Sequence, residues 1–114
     1  MAEHLAGRGA RLALVDLNQD RLDEAVAACK AAGGEARAYL CNVANEEQVS
    51  DMVTRVAEDF GGLHGLVNNA GILRDGVLAL REEDGFVRKM PSVQWKSVIE
   101  TNLTGCYVMA REVV

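Results

Sequence analysis

The sequence predicts an α/β protein built on a doubly wound parallel sheet, and three observations support this prediction. Short apolar runs at 11–16, 36–41 and 63–68 alternate with longer segments whose apolar residues recur at helical spacing. Strands separated by helices of this length are joined by right-handed crossovers, which give a parallel sheet. Polar turn formers close each run, so we expect the strands to end at the rim where such sheets bind ligands.

The helix boundaries in the first half of the chain are marked by polar caps and glycines. A helix at the amino end is closed by Gly9, placed for the left-handed conformation. Asn18 and Asn45 are placed to cap the next two helices, and Gly33-Gly34 and Gly61-Gly62 to end them. The predicted inward faces of these two helices are Leu22, Ala25, Val26 and Cys29, and Val49, Met52, Val53, Val56 and Phe60.

The pattern changes in the second half of the chain. Two short apolar stretches around Asp84-Gly85 predict a hairpin insertion over about 77–90. Pro91 should stop it and Ser92 should cap a last helix. Asn102 falls among that helix's apolar residues, so we expect its amide to face the packed side and to have a partner. The predicted apolar face is Trp95, Val98, Ile99, Cys106, Met109 and Val113.

Composition excludes several classes of protein. The 114 residues are 49% hydrophobic and 25% charged, which is typical of one globular domain. A net charge of -5 with interspersed signs provides no basic face for nucleic acid. The three cysteines lie far apart in apolar patterns, which favours buried thiols in a reducing compartment. We therefore expect a cytoplasmic protein with no membrane span and no metal site.

Two motifs resemble the short-chain dehydrogenase/reductase family. Asn-Asn-Ala-Gly at 68–71 follows Leu66-Val67, and Thr-Asn-Leu-Thr-Gly occupies 101–105. The resemblance spans essentially the whole chain. The two motifs are similar to those of 3-oxoacyl-acyl-carrier-protein reductases. It implies a Rossmann-like NAD(P)-binding domain over 1–114 and hydride transfer between nicotinamide C4 and a small carbonyl or alcohol substrate. It also implies a homo-oligomer, a tetramer or a dimer, for the full-length protein.

The resemblance assigns an adenosine pocket to the first two strand ends. Asp16 would accept the ribose hydroxyls and repel a 2′-phosphate, and Leu17 supplies no cation for that phosphate, which favours NAD over NADP. The alternative is that Asp16 is only an acid near the start of a helix. Asn42 and Val43 would contact the adenine, with a simple turn residue as the alternative for Asn42.

The resemblance places the reactive half of the cofactor near the third strand. Asn69, Ala70 and Gly71 would lie along the nicotinamide-side ribose, while Asn68 would tie strand ends together. Asn102 corresponds to the family's active-site asparagine, which binds a water in a proton relay. Its alternative role, satisfying a local helix irregularity, is compatible with this one.

Other parts of the family pattern are missing from the 114 residues. Neither Tyr39 nor Tyr107 has a lysine four residues on, and no glycine-rich turn precedes the first helix. A sheet of order 3-2-1-4 would also lack its central strand. We therefore expect a fragment of a longer enzyme, poorly stable and inactive alone. The alternatives are a non-catalytic nucleotide-binding module, or an interaction module that completes its sheet with a partner chain.

Overall fold

A computed structural model describes residues 1–74 and 76–114. The first part of the chain comprises α1 (Ala2–Gly7), β1 (Arg11–Asp16), α2 (Gln19–Ala31), β2 (Glu35–Leu40) and α3 (Glu46–Phe60). The second part comprises β3 (Ala79–Arg81), β4 (Val87–Lys89), α4 (Ser92–Ile99), a π-helical turn (Glu100–Thr104) and α5 (Gly105–Val113). The alternation predicted for residues 1–60 is therefore confirmed.

β1 and β2 form a parallel pair with helices on both faces. Their register runs from Arg11 opposite Glu35 to Asp16 opposite Leu40. Since successive side chains in a strand point to opposite faces, the pair contributes to two separate cores. One core packs against α3 and α5 and the other against α1 and α2. This arrangement confirms the predicted doubly wound α/β class.

The two predicted asparagine caps are confirmed. Asn18 Oδ1 accepts a hydrogen bond from the Arg21 amide, and Asn45 Oδ1 accepts one from the Gln48 amide, each at 3.0 Å. Each cap satisfies a backbone donor that the first helical turn leaves without a partner. Gly61 then ends α3 with φ of 77°, in the left-handed conformation that glycine adopts without strain.

The third predicted strand is wrong, because residues 63–68 form no strand in the structure. Leu63 and Leu66 still pack against the core beside α3, but Val67 is 58% exposed. In the described part of the chain, β1 pairs with β2 alone. A strand is defined by hydrogen bonds to a neighbour, and here no described strand lies beside 63–68 to supply them.

The predicted hairpin is present, with a shorter ladder than the 77–90 range. β3 and β4 pair in antiparallel fashion, with Ala79 opposite Lys89. The Glu82 amide donates to the Phe86 carbonyl at 2.8 Å, and Gly85 takes φ of 88° in the turn. Every residue of the two strands is exposed, so the turn and the ladder hold this hairpin rather than a core.

The last helix departs from the prediction at three positions. Ser92 is already helical, and the cap position belongs to Pro91, which has no side chain able to accept a hydrogen bond. Trp95 is 59% exposed, because nothing in the described chain covers this side of α4. Val108, absent from the predicted face, is fully buried. The π-helical turn before it adds a residue and rotates the inward face of α5.

The molecule is extended and leaves much surface uncovered. Its radius of gyration is 17.9 Å, whereas about 13 Å is typical of a compact chain of this length. Its accessible surface is 8102 Å², against about 6,100 Å² for a folded monomer of 12.3 kDa. Among the described residues, no helix is both long enough and apolar enough to cross a membrane.

Candidate functional site at the strand ends

The structure brings Asp16 and Asn42 to the same edge of the sheet. β1 ends at Asp16, and the parallel β2 ends two residues before Asn42. The Cys41 amide donates to the Asp16 carbonyl at 3.0 Å, which continues the pairing one residue beyond the end of β2. Two polar side chains from neighbouring strands therefore stand at the rim where parallel sheets bind ligands.

Asp16 orders the turn into α2 and does not itself cap the helix. Its Oδ1 accepts a hydrogen bond from the Asn18 amide at 3.0 Å, while Asn18 serves as the helix cap. The carboxylate is half-buried, and the following Leu17 is exposed. A carboxylate held in this way has further lone pairs with which to accept hydroxyl groups.

Asn42 shapes the turn after β2 through both its side chain and its backbone. Its Oδ1 accepts from the Ala44 amide at 3.0 Å, and its own amide donates to Gln48 Oε1 at 2.9 Å. Sequence reasoning missed Gln48, although a glutamine three residues after the cap Asn45 is the position from which a side chain reaches back to the preceding backbone. These bonds give Asn42 the turn role that was its alternative interpretation.

The Asn-Asn-Ala-Gly segment is tied to a helix rather than to a strand. Asn68 Nδ2 donates to the Cys106 carbonyl at 3.4 Å, so the prediction that Asn68 joins strand ends is wrong. The reason is the missing neighbour strand, which leaves the backbone of α5 as the nearest acceptor. Asn69, Ala70 and Gly71 are all exposed, and their backbone is therefore accessible to a ligand.

Asn102 clamps the backbone just beyond this segment with both atoms of its amide. Its Oδ1 accepts from the Ile72 amide at 2.7 Å, and its Nδ2 donates to the Ile72 carbonyl at 2.9 Å. The expected partner is thus confirmed, although Asn102 is exposed and does not face the packed side. The side chain supplies the pair of hydrogen bonds that an adjacent strand would otherwise make.

The helix irregularity at Asn102 is a π-helical turn. The Gly105 amide donates to the Glu100 carbonyl, five residues back. Gly105 packs closely on the turn after β2, since a Cβ there would lie 2.9 Å from Val43 Cγ2. Such turns widen a helix and occur frequently at functional sites.

A narrow cleft of about 10 Å³ lies under the π-helical turn. It is lined by Val43, Asn68, Ala70, Thr101, Gly105, Cys106 and Met109. A volume of this size holds about one water molecule. The cleft therefore joins the turn after β2, the Asn-Asn-Ala-Gly segment and the asparagine-bearing helix.

Comparison with known proteins shows the family of this chain. The family of short chain dehydrogenases matches residues 1–114. This chain belongs to the short chain dehydrogenase family. Similar solved structures have the same fold, including a xylitol dehydrogenase bound to NAD+, with a TM-score of 0.79 and 34% identity over 98% of this chain and 40% of that one. A metagenomic short-chain oxidoreductase in complex with NADP has a TM-score of 0.80 and 28% identity over 97% and 47% of the two chains.

Curated relatives of this short chain dehydrogenase are considerably longer. A 3-oxoacyl-(acyl-carrier-protein) reductase from Thermotoga maritima is 33% identical over 110 residues, which are 96% of this chain and 41% of the relative. A 2,3-dihydro-2,3-dihydroxybenzoate dehydrogenase from Bacillus subtilis is 29% identical over 113 residues, 99% of this chain and 40% of the relative. The chain thus spans about two fifths of the relatives it matches.

In this short chain dehydrogenase the predicted site residues form two groups. Asp16 and Asn42 share the edge of the sheet, while Gly71 lies against Asn102, with 3.4 Å between the position of an added Cβ and Asn102 Oδ1. Val43 borders the cleft and links the groups through Gly105. Within residues 1–74 and 76–114, no hydrogen bond joins Asp16 to residues 69–71.

Two titratable groups near the sheet, Tyr39 and Cys41, have raised pKa values. Burial, and then the hydrogen bond that Tyr39 donates to Asp59 at 2.6 Å, raise the pKa of Tyr39 to about 12. Burial also raises the pKa of the Cys41 thiol. Cys29 and Cys41 are buried as predicted, but Cys106 is only half-buried, and its thiol donates to the Asn102 carbonyl at 3.3 Å. Because its pKa is about 12, the Tyr39 hydroxyl stays protonated at neutral pH.

Proposed function

We propose that residues 1–114 are the cofactor-binding part of an oxidoreductase that transfers a hydride between a nicotinamide cofactor and a carbonyl or alcohol substrate. The observation that carries the proposal is the two-bond clamp between Asn102 and Ile72. It holds the asparagine-bearing π-helical turn directly against the accessible backbone of Ala70 and Gly71. A flat cofactor group can approach that backbone because neither residue has a long side chain.

The residues at the strand ends fit the adenosine half of such a cofactor. The Val43 amide donates to no residue in the described part of the chain, so no protein group competes with an adenine ring nitrogen for it. Asn42 and Asp16 would complete this half, and Asn69 the nicotinamide-side ribose. When bound, the cofactor supplies the hydride acceptor or donor. Asn102 would hold a water in the proton relay of the longer enzyme.

NAD is the cofactor form that we propose. A half-buried carboxylate at Asp16 accepts ribose hydroxyls and repels a 2′-phosphate, and Leu17 provides no charge to offset that repulsion. Structural relatives include one bound to NAD+ and one bound to NADP, so likeness to them does not select the cofactor. The proposed preference for NAD is therefore inferred from Asp16 and Leu17.

Titration of the 114-residue chain with NADH and with NADPH, followed by fluorescence of Trp95, tests the proposal. We expect saturable binding of NADH that is about tenfold or more tighter than binding of NADPH. In NADPH the 2′-phosphate replaces a hydroxyl that would donate to the Asp16 carboxylate, and its negative charge repels that carboxylate. Asp16→Asn should weaken the binding of NADH and reduce the difference in affinity between NADH and NADPH. The matched control is Asp20→Asn, which changes an exposed acid in the first turn of α2. Absence of saturable NADH binding to a cooperatively folded chain would contradict the proposal.

Catalysis itself is expected to need residues outside these 114. The sequence contains no Tyr-x-x-x-Lys, which is the family's acid/base pair. We therefore expect no NADH-dependent reduction of a carbonyl substrate by this polypeptide, measured as loss of absorbance of NADH. Steady turnover would show that another group on this chain supplies the proton.

A second function is favoured by the open edge of the sheet. Among the described residues, β1 has a hydrogen-bonded neighbour on one side only, and residues 63–68 form no ladder. Unpaired strand edges accept additional strands. The chain would then be an interaction module whose sheet is completed by a partner. Sedimentation of the purified chain tests this function, because a chain that stays monomeric at every concentration, with and without NADH, would contradict it.

A further inference from the structure

The hairpin and the start of α4 enclose a second, larger groove of about 260 Å³. It is lined by Gly76, Val77, Leu80, Arg88, Lys89, Met90, Pro91 and Gln94. This volume lies just below the about 300–1,000 Å³ of sites for drug-sized ligands, so it suits a short chain. It begins four residues beyond Ile72, the residue that Asn102 clamps.

The floor of the groove is fixed to α4. Gln94 Nε2 donates to the Arg74 carbonyl at 2.8 Å, two residues beyond the Ile72 clamp. Gly76 lies against the same amide, since a Cβ there would be 3.1 Å from Gln94 Nε2. The Met90 amide donates to the Leu78 carbonyl at 3.0 Å, which closes the base of the hairpin. The groove is therefore held in place relative to the clamp.

Among the residues that the structure describes, the lining of the groove includes two cations and no carboxylate, although the net charge of the protein is -5. Arg88 is already engaged, because its Nε lies 3.2 Å from Glu82 Oε1. Lys89 forms no ion pair with any residue in 1–74 or 76–114. The side chain of Lys89 thus offers a positive charge, which forms no ion pair with a described residue, beside apolar walls.

We propose that this groove binds the apolar chain of a carboxylate-bearing substrate, and that Lys89 selects the carboxylate. The apolar side chains of Val77, Leu80 and Met90 contact the chain, and the ammonium group of Lys89 pairs with the anionic end. This assignment rests on the proposed oxidoreductase function, of which it names the substrate class. Binding in the groove, however, requires no nicotinamide cofactor and is measurable by itself.

Calorimetric titration of the 114-residue chain with octanoate, 1-octanol and acetate tests the assignment. Octanoate should bind about tenfold tighter than 1-octanol, which lacks the charge, and than acetate, which lacks the chain. Lys89→Gln should weaken the binding of octanoate about threefold to tenfold and leave the binding of 1-octanol unchanged. Lys89→Arg should retain most of the affinity for octanoate. Arg81→Gln is the matched control, because it removes one positive charge from the same hairpin outside the groove.

Three outcomes would overturn the assignment. Equal binding of octanoate and 1-octanol would mean that the groove does not select charge. Equal weakening by Arg81→Gln and Lys89→Gln would mean that only the net charge of the hairpin matters. Failure of octanoate to bind a chain that still binds NADH would reject the groove and leave the proposed function intact, whereas the reverse result would reject the cofactor site alone.

Discussion

Residues 1–60 and residues 61–105 are held together by different interactions. In the first region, backbone pairing of β1 with β2 places apolar side chains in two cores beneath the helices. In the second region, β3 and β4 are exposed at every residue and α4 buries none. The first region satisfies its backbone through a sheet, whereas the second lacks a neighbouring strand for residues 63–68.

Side-chain amides replace the missing ladder in the second region. Asn68, Gln94 and Asn102 each bond a backbone group of another segment. Such bonds contribute about 0.5–1.5 kcal/mol each, less than a buried apolar side chain does. The comparison teaches that the half of the candidate site around Gly71 and Asn102 lies in the part of the molecule that is fixed by polar contacts, while the part that carries Asp16 and Asn42 provides most of the buried core.

The largest expected effect comes from the core of the first region. Met52 is 5% exposed, so Met52→Ala should lower the free energy of unfolding by about 2–5 kcal/mol through lost burial and a cavity. Leu103 in the second region is 65% exposed, and Leu103→Ala should change stability by about 0.5 kcal/mol or less. Urea unfolding of both variants checks this, and equal losses would break the comparison.

A smaller effect is expected where the two regions meet. Gly105→Ala places a methyl group 2.9 Å from Val43 Cγ2, an overlap that should cost about 1–3 kcal/mol. Gly65 has nothing within 4 Å of an added Cβ, so Gly65→Ala is the control and should be nearly neutral. Thermal unfolding of the two variants measures the difference. If both are neutral, the π-helical turn can move away from Val43.

A local effect should follow from loss of the clamp. Asn102→Ala removes two hydrogen bonds to Ile72, and we expect the Ile72 amide to exchange with solvent about tenfold faster. Global stability should fall by only about 1 kcal/mol, since the residue is exposed. Hydrogen exchange followed by NMR provides the measurement. Asn69→Ala, which retains the backbone bond from the Asn69 amide to Val67, should leave Ile72 protected.

The smallest expected effect concerns Tyr39 in the first region, and it appears only at alkaline pH. Its pKa rises from 10.0 in the unfolded chain to about 12 in the fold, so the folded state holds the phenolic proton more tightly. This contribution to stability is complete below about pH 10 and is lost as the pH rises toward about 12. Urea unfolding at about pH 8 and about pH 11 should show a larger decline for the native protein than for Tyr39→Phe. Equal declines would mean that other groups account for the alkaline instability.

Much of the first region could be predicted because its signals are local. An asparagine cap acts on an amide three residues away, as Asn18 does on Arg21 and Asn45 on Gln48. The glycine at the end of α3 and the Asp-Gly turn of the hairpin likewise depend on a few neighbouring residues. Helical spacing identified Leu22, Cys29 and Val49 as core residues without knowledge of what covers them.

The failures at residues 63–68 and at Asn68 share one cause, which is a partner that lies far away in the chain. Residues 63–68 have the composition of a buried strand, but a strand forms only beside another one. Asn68 bonds the Cys106 carbonyl for the same reason. The burial of Val108 depends on the π-helical turn before it, and no spacing rule for an ordinary helix contains that extra residue.

The sequence by itself determined the α/β class, most of the helix ends, the hairpin and the placement of Asp16 and Asn42 at strand ends, since local backbone preferences and apolar periodicity specify these features. Only the tertiary structure decided that Asn102 clamps Ile72, that Asn42 shapes a turn held by Gln48, and that a groove lined by Lys89 lies between the hairpin and the start of α4. Each of these depends on which distant groups meet. That is set by the packing of whole elements, because a hydrogen bond or an ion pair forms only when both partners are brought within about 3 Å.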